Sequence, residues 1–536
     1  MKRLTIKHVE WIVAFLLTVA VLFLLLARAR HAGALWRDEC AVVQLATMPT
    51  VADLFKNFQR ESFPAFFPLM VRAHTAVFGT SDNAFRYFGV AVGLLFLAVA
   101  WFNSRLLFGG PPLLVTALFG LNVSFLTFGT SIRAYGIGSV LILLAFGLVA
   151  KMLLEPTRSR ITAALLVSVA SVQFLLYNSV LLLAVGIAVM TVCLIRGQRR
   201  PALAIAGIGT ACALSVLLYV GPFWTESKST VVLQGPVDLA WFWSQLEAAF
   251  GTPLHFMTAA WLALFLAAIA GAVTRLSLSW SNKPYPEWDL LLFGLVASFL
   301  SVVFNFSFLK ILSYSTREWY YLALLAFLAG AIDLLVGSLS SIKWVRTARL
   351  AFVIVALIGF SWAAWPKVIE RQSNIDVVAQ RLKQVAQPRD LIVVNPWFLG
   401  ISFNWYYGGT TPWVTCPMLE DHRLHRFDLL KARMTSSTPI DDLLEVIAAT
   451  LRSNNYVWLV GALEVQPSDK EAVSLPPAPT TDFGWSIDAY AESWSQQLGA
   501  FLQRHAAGAR FVRVPVEGLV SPLENVSVLV AHGWRE

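Results

Sequence analysis

The sequence predicts an α-helical polytopic membrane protein of about eleven transmembrane helices, followed by a C-terminal extracytoplasmic α/β domain. Three observations predict it. The 536 residues are 57% hydrophobic and only 14% charged, against about 25% charged in soluble domains, and the mean hydropathy is +0.65. The apolar residues fall in runs of about 17 to 24, long enough to cross a bilayer core. From about Pro366 those runs give way to short alternating segments with Pro-rich breaks. Together these exclude a soluble enzyme, a disordered chain or a nucleic-acid binder as the default reading, and no nucleic-acid partner is expected.

The apolar runs lie near 11–27, 84–107, 112–130, 134–154, 161–177, 179–195, 201–220, 256–274, 289–307, 319–337 and 348–365. The first lacks a small-residue cleavage site and is followed by Arg28 and Arg30, so it reads as a retained helix and not a signal peptide. Cations set the orientation. Lys151, Arg158, Arg160, Arg196, Arg199, Arg200, Arg275, Lys283, Lys343, Arg346 and Arg349 lie between spans on one side, and only Lys228, Lys310 and Arg317 oppose them after residue 150. The first side is therefore cytoplasmic, and Lys2, Arg3 and Lys7 place the N-terminus there too. An odd number of spans then sends the C-terminal region outside a multi-pass chain in the inner (plasma) membrane. The net charge of +9 is explained by topology, except that the outer loop 28–83 holds six Lys or Arg, cations that need a job. The domains are thus 1–365, with the juxtamembrane loop 28–83, and 366–536.

In the second domain Leu391–Val394, Tyr456–Val460, Phe511–Val514 and Val526–Val530 read as strands. Asn374–Gln387, Asp441–Arg452 and Ala489–His505 read as amphipathic helices, and Pro467–Thr481 as a loop. The cysteines Cys40, Cys193, Cys212 and Cys416 lack metal or redox spacing, although Cys40 and Cys416 both fall outside and leave a disulfide open.

Chemistry concentrates after the first span, in Leu35-Trp36-Arg37-Asp38-Glu39-Cys40. Two carboxylates beside a bilayer suit proton abstraction or cation binding, because low polarity raises their basicity. Adjacent residues do not share a helix face, so Asp38 and Glu39 have separate roles, one toward substrate and the other in support or toward a divalent metal. The competing reading is a solvated helix N-terminus. Segment 63–82, broken by Pro64 and Pro68, lies along the membrane surface or crosses it. Arg86, Arg133, Lys310 and Arg317 sit at outer ends of spans, where cations either snorkel or bind phosphate. Tyr135, Trp319, Tyr320 and Tyr321 are interface anchors or sugar and lipid contacts. No ionisable residue lies near the middle of a span, which disfavours an ion-coupled carrier. His422 and His425 beside Asp421 have metal-like spacing, yet a surface loop is the plainer reading.

The sequence resembles the polytopic GT-C glycosyltransferases, the group that includes bacterial aminoarabinose transferases and protein O-mannosyltransferases. The resemblance rests on Trp36-Arg37-Asp38-Glu39, the run Phe63 to Gly79, Asp82-Asn83-Ala84-Phe85-Arg86, Arg133-Ala134-Tyr135 and Arg317-Glu318-Trp319-Tyr320, in that order. It covers about 365 residues. It implies a sugar donor on a polyprenyl phosphate, a membrane lipid, and an acceptor that is a glycan, lipid or protein. It also implies that Asp38 is the catalytic base, with Glu39 beside it, and that Arg133, Arg317, Arg86 and Lys310 face the donor phosphate. Tyr135 and Tyr320 would contact substrate. Where family members carry His-Pro-Pro-Leu-Tyr this chain has Phe63-Pro64-Ala65-Phe66-Phe67, so that histidine's role is absent or falls to His74. The expected mechanism is inversion without a firm cofactor, Glu39 leaving room for a divalent metal. A flippase for a lipid-linked sugar and a non-catalytic envelope scaffold are the alternatives.

Overall fold

The computed structural model describes residues 6–61, 63–251, 255–283, 286–462, 472–479 and 485–536. After α1 (Ile6–His31) come α2 (Arg37–Ala46), α3 (Val51–Asn57), a 3₁₀ turn at Phe58–Glu61 and α4 (Phe66–Phe78). The bundle continues with α5 (Asp82–Phe108), α6 (Ala134–Leu154), α7 (Arg158–Phe174), α8 (Asn178–Arg196) and α9 (Arg199–Thr230). Then follow α10 (Leu239–Gly251), α11 (His255–Leu278), α12 (Glu287–Leu312), α13 (Leu322–Ser338) and α14 (Lys343–Val368). Among the described residues, nine helices are long and apolar enough to cross a membrane.

Two of the eleven expected runs differ. Helix α7 has 17 residues, about 26 Å at 1.5 Å per residue and so short of a full hydrocarbon core. The run near 112–130 is not one helix but two π-helical turns, Thr116–Gly120 and Phe125–Gly129. Asn122 explains the break. Its side-chain oxygen accepts from the Phe125 N–H at 2.9 Å, and its amide nitrogen donates to the Ala249 and Phe250 carbonyls of α10. A polar side chain that supplies these bonds inside the bundle lets the backbone leave helical pairing at low cost.

Close helix contact in this bundle depends on missing side chains, because lipid provides no hydrophobic force between helices. A Cβ on Gly136 would lie 1.8 Å from the Gly129 carbonyl oxygen, and one on Gly89 would lie 2.0 Å from that of Thr130. These glycines seat the 125–130 turn against α5 and α6. At one end of the bundle, Glu10 pairs with Arg346 and Arg349, Asp289 with Arg196, and Glu287 with Arg275. The opposite end carries α2, the 3₁₀ turn and the second domain.

That domain begins with α15 (Ile375–Val385) and β1 (Leu391–Asn395), then α16 (Leu399–Tyr406), β2 (Trp413–Thr415), α17 (Phe427–Thr435) and α18 (Asp441–Arg452). It ends with β3 (Val457–Gly461), α19 (Ile487–His505), β4 (Ala506–Val512) and β5 (Val528–Trp534). The strand order is β2-β1-β3-β5-β4, with β1 parallel to β2 and β3, and β5 antiparallel to β3 and β4. Alternation assigns the faces. Leu391, Val393, Val457 and Leu459 pack with Ile447 and Leu498 on one side, while Ile392, Val394, Trp458 and Val460 pack with Val378 and Phe403 on the other. The last two expected strands are displaced. β4 starts five residues before the expected Phe511 because Ala506-Ala507-Gly508-Ala509, a weak strand sequence by composition, is held by its ladder to β5. Of the expected loop Pro467–Thr481, residues 467–471 and 480–481 lie outside the described residues, and 472–479 has no regular structure.

Cys40 and Cys416 do not form a disulfide: both are free thiols, buried in separate cores. The Gly136→Ala substitution is expected to destabilise the protein by about 1–3 kcal/mol through overpacking, read as a lower Tm in detergent. Gly207→Ala, where a Cβ meets nothing within 4 Å, is expected to leave Tm unchanged or slightly raised.

Candidate active site

Helix α2 begins at Trp36 and buries eight of its ten residues. A helix start leaves N–H groups that need acceptors. Glu39 accepts from the Trp36 N–H at 3.2 Å, and Glu524 of the second domain accepts from the Arg37 N–H at 2.8 Å. Burial raises the Glu524 carboxyl to about 7, against the bonds from Arg37 and Ser373 that lower it. At the other end Arg72 donates to the Ala46 and Met48 carbonyls, where a cation suits the helix dipole.

Glu39 is fully buried and forked by Arg86 at 2.9 and 3.1 Å, and it also accepts from the Ile132 N–H at 3.0 Å. Arg86 donates further to the Gly33 and Ala34 carbonyls. The structure therefore corrects two expectations. The Arg86 guanidinium is consumed inside the protein and does not face a phosphate. The Glu39 oxygens are engaged by Arg86 and amides, a donor set that does not fit a metal ligand, and among the described residues no group of three His, Cys, Asp or Glu side chains is arranged to hold a metal ion.

Asp38, one position earlier and so about 100° around the helix, faces a different set. Its carboxylate lies 3.2 Å from Arg37 Nε, 3.5 Å from His425 Nε2 and 4.0 Å from Arg133 Nη2. Arg133 stands at the N-cap of α6, with its guanidinium 4.5 Å above the Phe63 ring. Its Nη1 donates to the Asp38 carbonyl at 3.0 Å and to Glu61 at 2.9 Å, while its Nε is buried without a partner. Glu61 meets His425 Nδ1 at 3.0 Å. Asp38, His425, Glu61 and Arg133 thus form a closed ring of alternating charge, with contacts of 2.9 to 4.0 Å.

The ring sets the protonation states. Burial pushes the Asp38 carboxyl up, but the His425 hydrogen bond and the Arg133 and Arg37 charges outweigh it and hold it well below the usual carboxylate range. Burial pulls His425 down, but Glu61 and Asp38 outweigh it and raise the imidazole from 6.5 to about 9. At neutral pH the pair is carboxylate and imidazolium.

Beyond Phe63 the ring opens onto tyrosines. Phe63 and Tyr135 are 5.4 Å apart, Tyr135 and Tyr320 5.4 Å, and Tyr177 and Tyr314 lie 5.7 and 5.9 Å from Tyr320. Asp38, Arg133, Tyr135 and Tyr320 are therefore contiguous. Lys310 and Arg317 are exposed and make no contact with the ring, Lys310 lying 5.9 Å from the Phe306 ring. His74 does not replace the absent histidine at Asp38. Its Nε2 meets the Ala84 carbonyl at 3.1 Å and its ring packs on Phe78, Phe85 and Phe88, which fastens α4 to α5.

Sequence reasoning missed Glu61 and the role of His425. The signal for Glu61 was an acid directly after Arg60 in the cation-rich outer loop. The surface-loop reading of His425 is corrected: its side chain is only 14% exposed, stacked on Phe427 at 14°, and brought to Asp38 by the 416–426 connection between β2 and α17. His422 instead packs on Trp413 and is lowered to about 4 by burial.

No protein-family profile matches the sequence, and no curated protein matches it. Among solved structures, the chain is similar to ArnT from Cupriavidus metallidurans in the apo state, with 12% identity, a TM-score of 0.51 and coverage of 84% of this chain and 92% of that one. The same protein bound to undecaprenyl phosphate gives 12%, 0.50 and the same coverage. The archaeal oligosaccharyltransferase AglB from Archaeoglobus fulgidus, in complex with an inhibitory peptide and a dolichol-phosphate, gives 10% identity and a TM-score of 0.48 over 98% of this chain and 74% of that one. The fold is GT-C-like, in agreement with the resemblance seen in the sequence.

Glu39→Gln leaves Arg86 buried without its counter-charge and is expected to cost about 3–5 kcal/mol, measured as a large loss of Tm or of folded yield. The raised His425 contribution to stability is fully present below pH 6.5 and is lost as pH rises through about 9. Histidine NMR of the labelled protein should show one ring titrating near pH 9, and a midpoint near 6.5 would contradict the ring.

Proposed function

We propose that this multi-pass membrane protein is a glycosyltransferase that moves a sugar from a polyprenyl-phosphate donor to an acceptor hydroxyl on the extracytoplasmic side. The observation that carries the reading is the juxtaposition of Asp38 and Arg133 at the end of a GT-C-like bundle, next to a wall of tyrosines. An acid–base group and a fixed cation are the two charges such a transfer needs.

In the proposed reaction the acceptor O–H gives its proton to Asp38 as its oxygen bonds to the anomeric carbon. The bond from that carbon to the phosphate oxygen breaks, and its electron pair leaves with the polyprenyl phosphate. Attack from the face opposite the phosphate inverts the configuration through an oxocarbenium-like transition state. Arg133, held by Glu61 and the Asp38 carbonyl with Nε free, offsets charge growing on the leaving phosphate. Tyr135 and Tyr320 offer ring faces to the sugar. Lys310 and Arg317, both exposed, lie outside the proposed reacting centre. The cation distribution orients the chain with the N-terminus in the cytoplasm and the 366–536 domain outside the plasma membrane.

The test uses purified full-length protein in lipid nanodiscs, supplied with the polyprenyl-phosphate sugars extracted from the native membrane. Release of free polyprenyl phosphate is expected, and donor left chemically unchanged would overturn the reading in favour of a carrier or scaffold. Arg133→Gln is expected to lower kcat by about 10²–10³-fold; an unchanged kcat would remove Arg133 from the leaving-group role.

A further inference from the structure

One contact between the two domains falls on the proposed reacting centre itself. His425 reaches in from the 416–426 connection, which has no regular secondary structure, and both ring nitrogens end on carboxylates. From the membrane side this segment is held by Gln44 Nε2, which donates to the Arg423 carbonyl at 3.2 Å, and by Leu424, buried among Leu45, Met48, Leu54 and Phe58; just beyond it, on α17, Asp428 pairs with Arg60 at 3.0 Å. On the segment itself Asp421 pairs with Arg423 and Arg426, so with Leu424 packed in place the backbone is braced, and displacement from Asp38 falls to the His425 side chain. Meanwhile the Asp38 side chain is only 13% exposed. The imidazole and Arg37 both face Oδ1 of Asp38, so an acceptor hydroxyl that bonds Oδ1 takes the place the imidazole now holds.

We propose that His425 is a positioning residue that latches Asp38 until the acceptor displaces it, so that the base is released only when a hydroxyl is in place. The inference rests on the reading of Asp38 as the base.

The charges explain how displacement changes the base. The groups facing His425 are Asp38 from α2 and Glu61 from the 3₁₀ turn, with Arg133 of α6 behind both. Arg37 meets the same Asp38 oxygen, Oδ1, that His425 faces, and the Arg60–Asp428 pair, with Glu226 of α9 at 4.0 Å from Arg60, forms the outer layer. With His425 in place, Asp38 is a weak base because its carboxylate is stabilised by a charged hydrogen bond. When the ring leaves, burial, which pushes the carboxyl upward, is less opposed, and the carboxylate becomes a better proton acceptor at the moment a hydroxyl replaces the imidazolium. Without an acceptor the latch keeps water from using Asp38 to hydrolyse the donor.

The experiment measures acceptor-independent donor hydrolysis against transfer, using full-length protein in nanodiscs and the native polyprenyl-phosphate sugar fraction as probe. In His425→Ala the ratio of hydrolysis to transfer is expected to rise at least tenfold. In His425→Gln, which keeps a donor to Asp38 but no charge, it is expected to rise less. In the wild type, hydrolysis should increase as pH rises from 7 through about 9, and both variants should lack that increase. A ratio unchanged in folded variants, or a flat wild-type profile, overturns the latch. The wild-type profile needs no variant, so a misfolded substitution does not decide the question. Failure of the wild type to consume donor at any pH overturns the transferase reading itself, a result distinct from turnover that ignores His425.

Discussion

Burying a carboxylate next to a bilayer demands a counter-charge, and the Glu39–Arg86 pair is where this protein meets that demand. An unpaired charge there costs several kcal/mol, so Glu39 fixes not only Arg86 but the backbone it touches. It draws the start of α2, the Gly33–Ala34 turn, the N-terminus of α5 and the Ile132 amide to one point. Because Ile132 precedes Arg133, the same carboxylate that anchors α2 also sets the residue that faces Asp38. The Asp38 cluster is thus built as the outward side of a structural ion pair. Adjacent acids with opposite surroundings do different work.

The second domain is joined to this centre by more than position. Tyr406 accepts from the Leu35 N–H and donates to Asp82, Gln372 N–H donates to the Ala32 carbonyl, and Arg37 stacks 4.1 Å over Phe398. Gly33, with φ of +64°, makes a short bridge to Ser373 where a Cβ would come within 2.7 Å of the Arg371 guanidinium carbon. The α2 start is therefore clasped on one side by the bundle and on the other by the domain. That geometry explains why removing Glu524 or His425 would disturb the centre although both lie hundreds of residues from Asp38 in the chain.

Much of this was legible in the sequence. The long apolar runs gave the helices, short β-branched apolar runs gave β1 and β3, and the Trp36–Glu39 motif located the start of α2. Three of the six cations of the outer loop, at odds with the charge rule for orientation, turn out to be used as partners of other parts of the protein. Arg28 donates to the Lys367 and Glu370 carbonyls and to Gln372, Arg72 caps α2, and Arg60 pairs with Asp428. What could not be read was partnership over long separations. Nothing local to Arg86 distinguishes a phosphate ligand from a partner of Glu39, since both uses want a guanidinium at a helix start. Nothing local to His425 reveals that the fold carries it to Asp38. The π-helical break near Asn122 was hidden for the same reason, because its cause is a pair of carbonyls on α10.

The central claim is that Asp38, held apart from Glu39 by the helix and placed against Arg133, performs the proton transfer of a lipid-linked glycosyl transfer. Its most direct test is mass spectrometry of membrane lipids and envelope glycans from cells carrying wild-type protein or Asp38→Asn at matched protein levels. The account predicts accumulation of one polyprenyl-phosphate sugar together with a glycan lacking that sugar. Unchanged pools of both, with the variant folded and present at the wild-type level, would contradict it.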